Sequence, residues 1–251
     1  MISLSILINS TFIVFTYFIS LYNNNRIDSR NNNKEVEVSI LEPTVVTAQQ
    51  MQAYDKYTIE TIGMPSAVLM ERAALSVIAT VAAGGFDLTH VLVVAGTGNN
   101  GGDGLAIARI LHLRGVDVKV LLLGDERKLS KANKEQLAIC RKYQVKVGHS
   151  IKDFREYTVI IDALFGIGLT RDITGKLAEA VKKINASNQP VVAVDIPSGL
   201  DATTGKILGS AIRANTTVTF GYLKVGLTVG DANKRVGKVI VKDIGIYAPE
   251  F

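Results

Sequence analysis

The sequence predicts an α/β fold: a mainly parallel sheet with helices on both faces. Three observations carry that reading. Short runs rich in β-branched residues, Val91 to Ala95, Val116 to Leu123, Tyr157 to Ala163 and Val191 to Val194, are apolar almost throughout, as strands buried on both faces must be. Helical patterns separate most of these runs, and alternating strands and helices imply parallel pairing. A glycine-rich stretch, Gly96, Gly98, Gly101, Gly102 and Gly104, joins the first run to an amphipathic segment. Strand, glycine turn and helix in that order make an anion site, because free N–H groups at the helix start point outward.

The elements follow in chain order. Residues 2–22 are apolar and uncharged, nearly long enough to span a bilayer, and a polar low-complexity segment, NNNRIDSRNNNK, comes next. No positive charge precedes Arg26, so the flanking charge of an export signal is missing. A membrane anchor, a poor export signal and translated sequence upstream of the true start are the competing readings. The expectation is a dispensable segment over 1–40 and one globular domain over 41–251. Thr47 reads as the N-cap of a helix with Met51, Tyr54, Thr58 and Ile62 on one side and Gly63 at its end. Pro65-Ser66 opens a second helix with Leu69, Ala73, Val77 and Val81 inward, stopped by Gly84-Gly85. Helices placed before the first strand are expected to cover a sheet edge or an oligomer interface. The first strand and its glycine turn lead to a helix over Leu105 to Leu113, closed by Gly115. Then come the strand Val116 to Leu123, a helix from Lys131 to Tyr143 and a short strand from Gln144 to Val147. The strand Tyr157 to Ala163 is followed by a helix marked by Leu177, Val181 and Ile184, and that helix by the strand Val191 to Val194. Thr216 to Phe220 and Lys238 to Val241 read as late strands without long helices between them.

Composition bounds the function. The 251 residues suit one α/β domain with an appendage and can bury a sizeable core. A net charge of +5 favours anionic ligands slightly, and the basic residues are scattered, which argues against a nucleic-acid stripe. Cys140 stands alone in a helical pattern and reads as a buried thiol. His90, His112 and His149 lack metal-ligand spacing, so zinc is not indicated.

Three loops follow three buried strands: Gly96 to Gly104, Asp162 to Asp172, and Asp195 to Asp201. In open α/β sheets ligands bind beyond the carboxyl ends of the strands, so these loops are expected to converge on one site. Gly96 to Gly101 satisfies G-x-G-x-x-G, and Asp125 follows the next strand, roughly where a ribose-binding acid would stand. Asn99, Asn100 and Asp103 fit that fingerprint poorly, since they place oxygens where a diphosphate prefers N–H donors; a nearby cation would explain them. Asp162 and Asp195 sit at strand ends, where a carboxylate can be a base, a cation ligand or a turn acid. Ser198 reads as turn chemistry after Pro197 or, with Asn100 and Asp162, as part of a hard-oxygen cation site.

At these residues the chain resembles the NAD(P)H-hydrate epimerases, the N-terminal domain type of the YjeF proteins. GTGNNGGDGLAIAR, DALFGIGLTRDITG and VAVDIPSGLDATTG carry the resemblance in the family's order, and MQAYDKYTIETIGMPSAVLMERAA looks like its entry helices. The resemblance implies a Rossmann-like αβα sandwich, often a homodimer. It implies interconversion of the R and S epimers at C6 of hydrated NADH and NADPH, a repair reaction in which these dinucleotides are substrates rather than cofactors. Its substrate-binding segments match Asn99, Asn100, Gly101, Gly102 and Asp103, then Gly166, Ile167, Gly168, Leu169, Thr170, Arg171 and Asp172, and Asp195. Its potassium ligands match Asn100, Asp162 and Ser198, one ion per subunit. A lysine proposed as catalytic in some animal relatives has no clear counterpart in Gly124 to Lys128 and is not carried over, which leaves Asp162 and Asp195 as the acid–base candidates. A separate ATP- or ADP-dependent dehydratase is the expected pathway partner, and the cytoplasm the expected compartment. Two other functions stay open at this point. A dehydrogenase would use the glycine turn and Asp125, but a substrate domain with a proton relay is not found. A non-catalytic dinucleotide- or protein-binding module would keep the site without turnover.

Overall fold

The structure, a computed structural model, describes residues 45–249; the apolar segment and polar linker of 1–40 lie outside the described residues. Strands β2 (His90–Ala95), β3 (Asp117–Leu122), β4 (Lys146–Gly148), β5 (Val159–Ala163), β6 (Val191–Val194), β7 (Thr216–Phe220) and β9 (Lys238–Lys242) form one seven-stranded sheet in the order β4-β3-β2-β5-β6-β7-β9. Every pairing in it is parallel. A small parallel pair, β1 (Val45–Val46) with β8 (Leu223–Lys224), stands apart. The helices are α1 (Ala48–Glu60), α2 (Ser66–Ala83), α3 (Asn99–Leu113), α4 (Lys131–Lys142) and α5 (Gly175–Ala186).

Alternation along the strands builds two cores. Val91, Val93 and Ala95 of β2 pack with α2, α3 and α4 on one face. Leu92 and Val94 pack with Val181 and Ile184 of α5 on the other. That is the αβα sandwich, and it explains why the strands read as continuous apolar runs. α2 is long and apolar enough to cross a membrane, yet Leu69, Ala73, Val77 and Val81 are all buried on the sheet, beside Val218 and Phe220 of the β7 region. It covers a sheet face rather than an edge. Its burial accounts for its apolar character.

Boundaries shift in places, for local reasons. Thr47 caps α1 through a capping box with Gln50, but α1 ends at Glu60, and Ile62 lies beyond it, exposed. The short strand expected over Gln144 to Val147 starts at Lys146, because Gln144 adopts φ +61° as a turn residue. The main correction concerns the glycine turn. α3 begins at Asn99, with Gly98 as its N-cap, so most of the expected turn is the first turn of the helix.

The strand order places the site. Chain order runs outward from β2 to β3 and β4 on one side and from β5 to β6 and β7 on the other. The reversal lies between β2 and β5, and a crevice opens at such a point beyond the strand ends.

Candidate active site

The first wall is the start of α3. Gly98 offers no side-chain cap, so the N–H groups of Asn99, Asn100 and Gly101 have no partner within the helix, the arrangement that receives an anion. The glycines here serve close packing. A Cβ on Gly96 would stand 1.9 Å from the Leu164 carbonyl oxygen, and one on Gly101 would stand 2.0 Å from the Gly96 carbonyl oxygen. The backbones of the first two loops therefore touch. Asn133 of α4, fully buried, donates to the carbonyls of Gly96 and Gly98 at 2.9 Å each and pins the turn from behind. Sequence reading missed Asn133; an inward-facing asparagine on an amphipathic helix was the available signal.

The second wall comes from β5. Asp162 is fully buried, its Oδ2 accepting from the Ser198 N–H at 2.8 Å and its Oδ1 from the Ser198 hydroxyl at 2.6 Å. Ser198 Oγ in turn accepts from the Phe165 N–H at 2.8 Å, so one serine locks the β5 and β6 loops together. Burial pushes the Asp162 carboxyl up to about 6, against the lowering effect of the Ser198 bonds. Among the described residues no cationic side chain pairs with it. Beside this loop sits Asn100: a Cβ on Gly166 would lie 3.2 Å from the Asn100 Cβ. Both polar atoms of the Asn100 side chain are buried without a hydrogen-bond partner. An orphaned amide oxygen, a buried carboxylate without a counter-charge and a serine hydroxyl are hard donors that fit a monovalent or divalent cation.

The rest of the β5 loop divides. Ile167 and Leu169 are half-buried and pack on hydrophobic clusters. Gly168, Thr170, Arg171 and Asp172 are exposed, and among the described residues no hydrogen bond ties the Arg171 or Asp172 side chain to the three aspartates of the third wall. A ligand would meet this loop largely through its backbone and its exposed tip.

The third wall is Asp195, at the end of β6. It adopts φ +68°, a left-handed conformation uncommon outside glycine, asparagine and aspartate, with its N–H on the Val218 carbonyl at 2.7 Å. Its Oδ1 meets the Lys224 ammonium at 2.7 Å and the Thr219 hydroxyl at 3.3 Å. Lys224 is 1% exposed, the largest fully buried side chain among the described residues, and the sequence reading missed it. Its signal was a lone lysine in the apolar run YLKVGL. Asp103 of α3 and Asp55 of α1 complete the wall. Burial first, then the charges of Asp195 and Asp55, raise the Asp103 carboxyl well above the ordinary range; burial and Asp195 raise Asp55, with Lys224 opposing. The charge of Asp195 acts on Asp103, as the expected approach of the first loop to Asp195 requires.

Other residues fall away from the site. Asp125 caps the short 3-10 turn Glu126–Lys128 and pairs with Arg127, Oδ2 to Nη2 at 2.7 Å, so the acid expected on a ribose is engaged as a turn acid. Cys140 is buried, its thiol pushed up to about 11 by desolvation. His90 pairs with Asp117, and His149 bonds the Leu122 carbonyl.

Comparison with known proteins finds a family and relatives over most of the chain. The family model described as YjeF-related protein N-terminus matches residues 66–226. A protein of Weissella koreensis named NAD(P)H-hydrate epimerase is 58% identical over 204 residues, 81% of this chain and 92% of its own length. One of Leuconostoc mesenteroides with the same name is 50% identical over 82% of this chain and 93% of its own. The crystal structure of yeast ynu0 superposes with a TM-score of 0.67 at 25% identity, covering 83% of this chain and 96% of that one.

Proposed function

The chain belongs to the YjeF-related N-terminal family, and from that premise we propose that it is an NAD(P)H-hydrate epimerase. It interconverts the R and S epimers of hydrated NADH and NADPH at C6 of the nicotinamide ring. The observation that carries the reading is that three loops leave one end of adjacent parallel strands, with an uncapped helix start among them and an aspartate cluster beside it. The N–H groups of Asn99, Asn100 and Gly101 receive the diphosphate. The hydrated ring then meets Asp103 and Asp195.

Epimerisation needs no redox partner. If the C6 hydroxyl leaves as water, it takes one proton from an acid; water returning to the opposite face releases one proton to a base, and exchange with solvent returns acid and base to their starting forms. If the ring opens and closes instead, the same two kinds of group are needed. Asp195, paired with a buried ammonium, is suited to accept the proton, and Asp103, whose carboxyl is raised by burial and by its acidic neighbours, to supply it. Asp162 has both oxygens engaged by Ser198 and is better suited to anchoring than to proton transfer. Asn100, Asp162 and Ser198 would hold a potassium ion, whose charge offsets the buried carboxylate and orients substrate oxygens. A homodimer, a separate ATP- or ADP-dependent dehydratase consuming the S epimer, and the cytoplasm as compartment belong to the same proposal.

The deciding experiment mixes R-NADHX with the purified chain and an S-specific dehydratase. NADH regained faster than without the chain supports the epimerase. No acceleration, with dinucleotide still bound, supports the binding module.

A further inference from the structure

Building on the epimerase reading, we propose that Lys224 is a positioning residue of the reaction: its enclosed ammonium clamps one oxygen of the Asp195 carboxylate and leaves the other for the substrate. The donors of Lys224 are fully committed. Nζ lies 2.7 Å from Asp195 Oδ1, 2.9 Å from Thr219 Oγ1 and 2.7 Å from the Phe220 carbonyl oxygen. An ammonium has three N–H bonds, so none is left to touch a ligand. Its direct contact with the site is through Asp195. There, Oδ1 also meets the Thr219 hydroxyl, whereas Oδ2 accepts no hydrogen bond among the described residues.

The clamp is built from rigid parts. The stem of Lys224 leaves β8, where it stands in register with Val46 of β1. Thr219 and Phe220 belong to β7, and Val218 of the same strand holds the Asp195 N–H. The backbone of Asp195, in its left-handed conformation, is thus held by β7 and its carboxylate by Lys224 of β8 and Thr219 of β7. A buried ammonium is costly unless it is paired, and here the Asp195 carboxylate, the Thr219 hydroxyl and the Phe220 carbonyl pair it. Its presence here is explained by what it does to Asp195.

A double-mutant cycle tests the proposal: wild type, Lys224→Met, Asp195→Asn and the double variant, with kcat and KM for epimerisation measured separately. Lys224→Met should lower kcat by roughly 10²-fold with KM changed less than about threefold, and should cost almost nothing further in the Asp195→Asn background. Equal losses in both backgrounds, or a loss confined to KM, would overturn it. Should Lys224→Met fail to fold, Thr219→Val removes one arm of the clamp while keeping a β-branched residue. A kcat loss with it that vanishes in the Asp195→Asn background supports the proposal, and no loss contradicts it. One readout does not depend on turnover: the 15Nζ signal of Lys224 should exchange slowly with water and shift on Asp195→Asn. A fast-exchanging ammonium, indifferent to that change, refutes the clamp. A wild-type chain that shows the protected ammonium but no epimerisation refutes instead the catalytic role and the reading beneath it.

Discussion

At the scale of single residues, the site sets carboxylates of one chemical type in different surroundings. Asp195 faces a buried lysine, Asp162 a serine, and Asp103 two other acids and no cation. Environment therefore divides their roles, and two of them can be tested separately. Replacing Asp195 by Asn keeps its size and one acceptor but removes the base; kcat should fall by roughly 10²-fold with KM nearly unchanged, after subtraction of spontaneous epimerisation. Loss of affinity with turnover retained at saturation would mean that Asp195 only holds a hydroxyl. Asp103 gives a stability prediction. Its folded carboxyl is raised above the unfolded value of about 4, so the fold takes up a proton there. The stabilising contribution is full below that value and is lost as pH rises through the higher folded one. Asp103→Asn is neutral at every pH, so its melting temperature should gain on that of the wild type as pH is raised from about 4 to about 8. A difference that stays constant across the range would contradict the raised carboxyl. Asp103, Asp162 and Asp195 were legible in the sequence because each stands at a strand end or in a glycine motif; Asp55, within the helix α1, was not. Lys224 and Asn133 were not, because their roles depend on partners 29 and 37 residues away in the chain.

At the scale of elements, two joints hold the site together: the glycine contact between the β2 and β5 loops, and the Ser198 lock between β5 and β6. Periodicity gave the strands and helices, since apolar runs and amphipathic faces are local properties. The start of α3 was misplaced because glycine signals a turn by propensity, whereas here it permits backbones to touch; that use is invisible without the opposing loop. Gly101→Ala would drive a methyl into the Gly96 carbonyl oxygen and also close on the Asn133 amide at 2.7 Å. It should cost about 1–3 kcal/mol in denaturant unfolding and should weaken binding of the dinucleotide. Wild-type stability and affinity would show that the turn has room to spare. The cation proposed between these loops makes a further prediction. Potassium should raise the melting temperature and the activity more than sodium or lithium does, and Asn100→Ala should abolish the difference. Equal behaviour in all three salts would remove the ion from the account.

At the scale of the whole molecule, the sheet order assembles the site. Every strand pairing is parallel, so the loops after β2, β5 and β6 emerge at one end of adjacent strands, and the order reverses between β2 and β5, where open α/β sheets bind ligands. The fold class followed from the sequence alone, because strands buried on both faces must be apolar on both faces. The identity of the reaction did not, since a crevice with a diphosphate cradle serves many chemistries; specific motifs and the relatives supplied it. The central claim is epimerisation, and an epimerase cannot move an equilibrium. The most direct measurement starts one sample from pure R-NADHX and another from pure S-NADHX, adds only the purified chain, and follows both epimers by chromatography. The account predicts that both samples reach the same R to S ratio as the uncatalysed reaction, much faster, and in proportion to the amount of chain. Rates equal to the uncatalysed ones from both directions would contradict it.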